Sequence, residues 1–273
     1  MRAAGLLART SWRRFVSLCD RVAVDAAGDR YDTIGRSYAK TRQEDPRIAE
    51  QIYSVLGGGS VLNVGVGSGN YEPTGRPVVA VEPSLRMLGQ RVGRPAPAVR
   101  GVGEALPFAD LSFDVAMAVL TIHHWSNPGA GLREMARVAD RQVVFFFEPL
   151  QTHGFWALEY FPAALSLPTE QDPPGERLIA DHLELHAVRP VLVPRDCTDG
   201  FGVAFWARPE AYLDPDVQAG MSWLAMLPET ERAQGSALLR ADLDSGRWDS
   251  RHGHLRHQDV FDGGYRIAVA GAQ

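Results

Sequence analysis

Residues 61–69 read Val-Leu-Asn-Val-Gly-Val-Gly-Ser-Gly, and this stretch decides how the rest of the chain is interpreted. The mostly apolar residues 61–64 predict a short buried β-strand, and the three glycines behind them predict a turn. Glycine adopts a positive φ at no steric cost and leaves no Cβ between the backbone and a ligand. At the carboxyl end of a strand in an open α/β sheet, such a turn forms the ligand crevice.

The spacing of these glycines separates two classes of ligand. The turn has the pattern GxGxG, whereas a dinucleotide-binding loop (GxGxxG) needs its third glycine where Asn70 stands. A pyrophosphate also needs a helix N-terminus directly behind the loop, and residues 71–73 (YEP) follow instead. The turn therefore favours S-adenosylmethionine (SAM) over a dinucleotide.

Further apolar runs alternate with helical patterns along the chain. We predict strands at 78–81, 115–119 and 143–147 and helices at 47–56, 84–91 and 128–138. This alternation of short apolar strands with helices indicates a parallel sheet covered on both faces. Beyond residue 150 we predict a helix at 153–167, an edge strand at 188–193, a helix at 229–244 and a last strand at 265–270.

One domain accounts for residues 31–273, preceded by an extension of residues 1–30. Insertions at about 150–185 and 195–225 are predicted to form helical lids, together with the N-terminal segment. The extension carries four arginines before its first acidic residue, Asp20. That composition fits a transit peptide or a helix that packs on the domain, and we favour the helix.

Composition argues against several other classes of protein. The 273 residues are 45% hydrophobic and 22% charged, which is ordinary globular composition. A net charge of −5 predicts no basic face for nucleic acid. The longest apolar run, 115–122, is too short for a membrane span. Two distant cysteines, Cys19 and Cys197, favour a reduced protein of the cytoplasm.

A carboxylate closes the second predicted strand. Glu82 follows residues 78–81, where it can accept hydrogen bonds from both hydroxyls of a ribose. Alternatively, Glu82 is an acid at the N-terminus of the helix that begins near Ser84. We favour the ribose, because strand, glycine turn, second strand and acid occur in the order of a nucleotide site.

Four runs together resemble one known family: VLNVGVGSG (61–69), VVAVEPS (78–84), GEALPFADLSFDVAMA (103–118) and LTIHHW (120–125). They resemble the SAM-dependent methyltransferases of the ubiquinone/menaquinone-biosynthesis type (type 11) across roughly residues 31–150. The resemblance implies a class I fold, which is a Rossmann-like, doubly wound α/β sheet of seven strands with an antiparallel last strand. The run YRIAVA (265–270) would supply that last strand.

The resemblance also implies a set of cofactor contacts. The glycine turn would pass under the methionyl and ribose parts of SAM, Glu82 would hold the ribose, and Met87 and Leu106 would flank the adenine. Residues 31–38 resemble the family's first helix, where an aromatic ring can face the sulfonium and Arg42 can bind the methionine carboxylate. Alternatively, these side chains only pack that helix. The predicted set is Tyr31, Tyr38, Arg42, Asn63, Gly65, Gly67, Gly69, Glu82, Pro83, Met87, Gly103, Glu104, Leu106 and Leu120.

Two positions depart from the family pattern. Asn63 stands where the family usually has aspartate, and Val102 stands where it has an acid that reads the adenine amino group. Valine cannot accept that hydrogen bond. The backbone of Gly103 or the side chain of Glu104 would have to replace it.

Methyl transfer from a sulfonium is an in-line displacement, so the protein supplies alignment, exclusion of water and, where needed, a base. His123 and His124 follow the strand 115–119 and are the candidate bases, with His124 favoured. Alternatively, one histidine caps the strand and the other packs against Trp125. Glu148, after the strand 143–147, is a second candidate.

No metal site is predicted. His182 and His186 have the i, i+4 spacing of helical metal ligands, but no third ligand is evident. We predict instead a pocket for an apolar or aromatic small molecule, or else a dry lid core, from seven aromatic residues: Phe155, Trp156, Tyr160, Phe161, Phe205, Trp206 and Trp223.

The sequence thus predicts SAM-dependent methyl transfer to a small molecule, at oxygen or carbon before nitrogen. A nicotinamide-dependent oxidoreductase on a similar sheet and a SAM-binding protein without transferase activity are the alternatives. The oligomeric state stays open, a homodimer included.

Overall fold

The computed structural model describes residues 41–91, 93 and 96–272. Its strands are β1 (Val61–Val64), β2 (Val78–Val81), β3 (Ala98–Val99), β4 (Phe113–Val119), β5 (Ala139–Phe147), β6 (Leu185–Pro190), β7 (Val193–Pro194), β8 (Val260–Phe261) and β9 (Tyr265–Gly271). Its α-helices are α1 (Pro46–Val55), α2 (Leu85–Gly89), α3 (Pro128–Val138), α4 (Pro168–Gln171), α5 (Glu176–His182), α6 (Pro215–Gly220), α7 (Ser222–Ala225), α8 (Glu229–Asp244) and α9 (Arg247–His252).

Seven strands form one sheet in the order β3-β2-β1-β4-β5-β9-β6. Strands β1 to β5 pair in parallel, and β9 pairs antiparallel with both β5 and β6. The predicted doubly wound sheet with an antiparallel last strand is therefore confirmed. Strand β6 lies at the edge of the sheet. Proline is tolerated there, because the N–H that Pro190 lacks is not needed for pairing between strands.

The sheet is buried on both faces. Successive side chains of a strand point to opposite faces, so Val115 and Met117 pack toward α1 while Ala116 and Ala118 pack toward α3. The α1 face is also covered by aromatic residues from beyond residue 150, and α5 joins α3 on the other face. The strands are apolar on both faces because helices and the aromatic core cover both faces of the sheet.

Local signals set the helix starts near the sheet. Asp45, Ser84 and Asn127 cap α1, α2 and α3, and each accepts a hydrogen bond from a backbone N–H of the first turn. A proline follows the cap of α1 and of α3, where its missing N–H costs no helical bond.

Three predictions need correction or lie outside the described residues. Residues 153–167 form separate 3-10 turns rather than one helix, because Gly154 has φ +62° and Pro162 cannot donate a helical hydrogen bond. The strand predicted at 188–193 runs from Leu185 to Pro190, because Val193 leaves the sheet to pair with Phe261. The extension of residues 1–30 lies outside the described residues.

No helix in the described part of the chain is long and apolar enough to cross a membrane.

The connection from β1 to β2, residues 65–77, contains no helix. A ligand at the carboxyl end of β1 therefore meets a turn rather than a helix N-terminus.

The indole of Trp125 lies against two glycines, and this contact is testable. A Cβ on Gly131, inside α3, would overlap the Trp125 ring. We expect Gly131→Ala to lower the free energy of unfolding by about 1–3 kcal/mol through overpacking, although alanine is the better helix former by about 1 kcal/mol. Urea unfolding measures this change.

Gly89→Ala is the matched control, because a Cβ on this helical glycine meets nothing within 4 Å. It should leave stability unchanged or raise it. A Gly131→Ala protein as stable as the parent would contradict the packing described here.

Candidate functional site

The glycine turn behind β1 has a backbone that other residues rarely adopt. Gly65, Gly67 and Gly69 have φ values of +70°, +57° and +94°. A Cβ on Gly65 would also overlap the Thr121 hydroxyl, and a Cβ on Gly67 would lie 3.4 Å from the Met87 methyl carbon. The turn therefore needs glycine for its conformation and, at Gly65, for space.

Glu82 fixes this turn from the end of the neighbouring strand. Its carboxylate accepts the N–H of Gly67 at 2.9 Å and the N–H of Ser84 at 3.0 Å, and the residue is 5% exposed. The Glu82 carboxylate thus bonds both the turn and the start of α2. The alternative prediction, an acid at a helix N-terminus, therefore accounts for one of its two contacts. A carboxylate has about four lone pairs, so ribose hydroxyls can share it.

A cavity of about 340 Å³ lies above this turn, within the size range of small-molecule sites. Nine of the predicted cofactor residues line it: Arg42, Gly65, Gly67, Glu82, Pro83, Met87, Gly103, Glu104 and Leu120. Asn63, Gly69 and Leu106 do not line it. Tyr31 and Tyr38 lie outside the described residues. The structure therefore brings most of the predicted set together around one space large enough for a nucleoside.

The two departures from the family pattern lie at different depths. Asn63 is 1% exposed within β1, and its amide Nδ2 has no hydrogen-bond partner within the described chain. Val102 lines the cavity beside Gly103, on which a Cβ would lie 2.9 Å from the Trp125 ring. Glu104 accepts hydrogen bonds from the Ser126 hydroxyl and from a backbone N–H at the start of α3.

Several residues that line the cavity directly after strands were not predicted. Thr121 and Trp125 come after β4 and line the cavity with His124. Their position at a carboxyl strand end could have identified them. Leu120 and Tyr71 adopt φ +47° and +59° in the same region, and no sequence signal reveals such strain at non-glycine residues.

A buried polar network closes one side of the cavity. The guanidinium of Arg42 donates from Nε to Asp199 at 2.6 Å, and the Tyr71 hydroxyl donates to the same carboxylate at 2.9 Å. Asp199 is fully buried. Burial and the neighbouring Asp199 raise the pKa of Tyr71 well above its ordinary value, so its hydroxyl keeps its proton. Asp199 thereby joins the chain before α1 to the 195–225 segment.

A second, smaller cavity of about 40 Å³ adjoins the first, and Arg42, Leu120 and His124 line both. The remaining lining residues are His123, Phe147, Leu150, Thr169, Glu170, Phe201, Gly202, Ser222, Trp223 and Tyr265. His123 and His124 lie on a 3-10 turn with ring centroids 3.7 Å apart. In an extended strand the side chains of His123 and His124 would point to opposite faces, but on this turn both line the second cavity.

Glu170 is the functional candidate that no sequence motif marked. It lies on α4 at 3% exposure, and its carboxylate accepts the N–H of Leu150 at 3.0 Å. Burial raises the pKa of this carboxyl to about 7. A buried carboxyl with a raised pKa in a cavity is a frequent mark of a functional site.

Other predicted groups lie elsewhere. Glu148 lines neither cavity and pairs with His153 at 2.7 Å and Arg266 at 3.0 Å. Of the seven predicted aromatic residues, Trp223 lines the second cavity, and most of the others form a packed core beneath it.

No group of three His, Cys, Asp or Glu residues that could hold a metal occurs in the described ranges. His182 instead hydrogen-bonds the carbonyl of Leu178.

Comparison with known proteins places the chain in a family. The profile described as "Methyltransferase domain" matches residues 62–147. Demethylmenaquinone methyltransferases of Corynebacterium kroppenstedtii and Corynebacterium efficiens are each 34% identical to the chain, over 125 and 120 residues. Each match covers 42% of this chain and 52% of the relative, so the chain spans about half the length of the curated relatives it matches.

A solved structure covers much more of the chain. It is a protein of Anabaena variabilis named as a methyltransferase from an antibiotic biosynthesis pathway. It is 31% identical with a TM-score of 0.75, and the match covers 85% of this chain and 99% of that one. The site fits the family's cofactor, because the glycine turn, Glu82 and a cavity of suitable size occur together at the strand ends. This chain belongs to the type 11 family of SAM-dependent methyltransferases, and its cofactor is SAM.

Proposed function

We propose that this protein transfers the methyl group of SAM to a small apolar or aromatic acceptor, at oxygen or carbon rather than nitrogen. One observation carries the proposal: the cavity above the glycine turn adjoins a second cavity with aromatic walls, and three residues line both. An acceptor whose reacting group enters the second cavity would therefore lie beside a cofactor in the first. Such juxtaposition is what an in-line displacement requires.

The cofactor residues have distinct roles in this proposal. Glu82 holds the ribose hydroxyls, Met87 and Val102 cover the adenine, and Arg42 binds the methionine carboxylate. Bound SAM supplies an electrophilic methyl group on a sulfonium. The chain's own residues orient both molecules, and the 150–185 and 195–225 segments supply Glu170, Phe201 and other walls that exclude water. This supports their prediction as lids.

Proton acceptors in the second cavity support oxygen or carbon as the methylated atom. A hydroxyl or an acidic carbon must lose a proton on methylation, whereas a free amine attacks through its lone pair. His123, His124 and Glu170 line this cavity and are the candidate acceptors. Burial raises the pKa of Glu170 to about 7, so its carboxylate form is present at neutral pH.

The two alternative functions are less well supported. A nicotinamide dinucleotide would place its pyrophosphate at a helix N-terminus, and residues 65–77 form turns instead. A SAM-binding protein without transferase activity would not need the aromatic cavity that adjoins the cofactor cavity. Release of S-adenosylhomocysteine (SAH) distinguishes that alternative. The first acceptor to test is demethylmenaquinone, which the names of two relatives give, in its reduced form, and simple phenols follow.

The role of Glu82 gives the first binding prediction. We expect Glu82→Gln to lower SAM affinity about 10- to 100-fold, because each hydrogen bond to a charged group contributes about 1.5–3 kcal/mol. Titration calorimetry measures the affinity, and thermal unfolding confirms that the variant is folded. Glu50→Gln is the matched control, since Glu50 is exposed on α1. Unchanged SAM affinity in a folded Glu82→Gln protein would remove Glu82 from the site.

Asp199 gives a second prediction, because it orients Arg42. Methylthioadenosine has the adenosine of SAH but lacks its amino-acid carboxylate. We expect Asp199→Asn to weaken SAH binding about 3- to 10-fold, the loss of roughly one charged hydrogen bond, and to leave methylthioadenosine binding unchanged.

Asp196→Asn, three residues earlier with an exposed carboxylate that pairs with Arg47, should change neither affinity. If Asp199→Asn weakened both ligands equally, Arg42 would not be the carboxylate-binding residue.

A further inference from the structure

Glu170 stands apart from the other groups around the acceptor cavity, which is the smaller cavity lined by Phe147, Phe201 and Trp223. It is the acidic side chain among the described residues that line this cavity, it is nearly fully buried, and it lies on a helix of the 150–185 segment. The backbone N–H of Leu150, at the start of the same segment, donates to Oε2 at 3.0 Å. This bond fixes one carboxylate oxygen and the direction of the carboxyl group.

Burial of this carboxyl without a paired cation lowers the stability of the protein, and groups buried at such a cost are often found in functional sites. Across the described chain Glu170 makes no ion pair, and its hydrogen bond comes from Leu150. The titratable and charged groups that line the same cavity are Arg42, His123, His124 and Tyr265. Arg42 is held by Asp199, and burial raises the pKa of Tyr265 far above its ordinary value, so that this phenol stays neutral.

We propose that Glu170 is the catalytic base of the reaction and that it accepts the proton of an aromatic acceptor whose hydroxyl enters the smaller cavity, while its ring lies where the two cavities adjoin, beside Leu120 and His124. This inference rests on the proposed function and specifies the acceptor side of that same site. It assigns proton removal to Glu170 rather than to the neighbouring histidines.

The step balances without any further reactant. The acceptor O–H bond breaks and its proton passes to the Glu170 carboxylate. The acceptor oxygen forms a bond to the methyl carbon, the carbon–sulfur bond breaks, and its electron pair stays on sulfur, which becomes the neutral thioether of SAH. Glu170 then returns the proton to solvent when product leaves.

The environment of Glu170 suits this role near neutral pH. Because burial raises the pKa of its carboxyl to about 7, both the accepting and the protonated form are populated at neutrality. A base whose pKa lies near the working pH is the most effective kind. The ionised form increases above pH 7, so a hydroxyl ligand should bind better as the pH rises.

The test uses SAH-loaded protein with 4-methylphenol as the probe and 4-methylanisole as its matched ligand without a hydroxyl hydrogen. We expect 4-methylphenol affinity to rise about tenfold from pH 5.5 to 8.5, since a hydrogen bond to a charged acceptor is roughly twice as strong as a neutral one. 4-Methylanisole affinity should not rise. Calorimetry at each pH gives both affinities and the protons exchanged.

Glu170→Gln should abolish the pH dependence of 4-methylphenol binding, because the amide does not titrate. Glutamine resembles the protonated carboxyl in shape, so we expect the variant to fold, and its SAH affinity should equal that of the parent. Glu176→Gln, an exposed glutamate of the same segment, should keep the dependence.

Three results would overturn the inference. They are normal SAH binding without 4-methylphenol binding, an affinity that does not change with pH, and a pH dependence that persists in Glu170→Gln but is lost in His124→Asn. Failure of SAH itself to bind would instead overturn the proposed function, and this inference with it.

Discussion

The hydrogen bond from the Gly67 N–H to the Glu82 carboxylate is the interaction on which the site depends. It spans 2.9 Å between the turn behind β1 and the end of β2, and it requires those two strand ends to lie side by side. The bare backbone at Gly65 lets Thr121, from the end of β4, approach the same turn. Three parallel strands thus converge on one small volume. The cavity above them follows from this geometry, because Gly65 and Gly67 place no side chain in it.

Segments outside the sheet complete what the strand ends begin. Asp199 connects the 195–225 segment to Arg42, and Glu170 on α4 faces the adjoining cavity. These segments are held by a buried aromatic core in which the indole N–H of Trp156 donates to the carbonyl of Trp206 at 2.7 Å. The core aromatic residues Trp156 and Trp206 therefore help to position the polar groups of the site. Such rigid support is what preorganised chemistry needs.

Local patterns in the sequence predict the central elements closely. The bounds of β1, β2, α3 and α8 agree with the predicted ones, because continuous apolar runs, caps and glycine stops act over a few residues. The glycine turn and Glu82 are likewise predictable, since both directly follow strands.

The parts of the site that depend on contacts between distant segments were not predictable, for a physical reason. Asp199 and Arg42 are 157 residues apart in sequence, and Glu170 gains its environment from contacts that no local pattern encodes. The helix predicted at 153–167 does not form, because Gly154 and Pro162 interrupt it. Leu106 was predicted beside adenine, but its N–H donates to Glu134 and its side chain lies in the α3 core, so its place depends on packing across the sheet.

The central claim is that the turn at 65–69 and Glu82 form the SAM site, and a crystal structure of the SAH complex tests it most directly. The account predicts both ribose hydroxyls within hydrogen-bond distance of the Glu82 carboxylate, the adenine between Met87 and Val102, and the SAH carboxylate toward Arg42. SAH bound elsewhere, or bound in this cavity with its ribose away from Glu82, would contradict it.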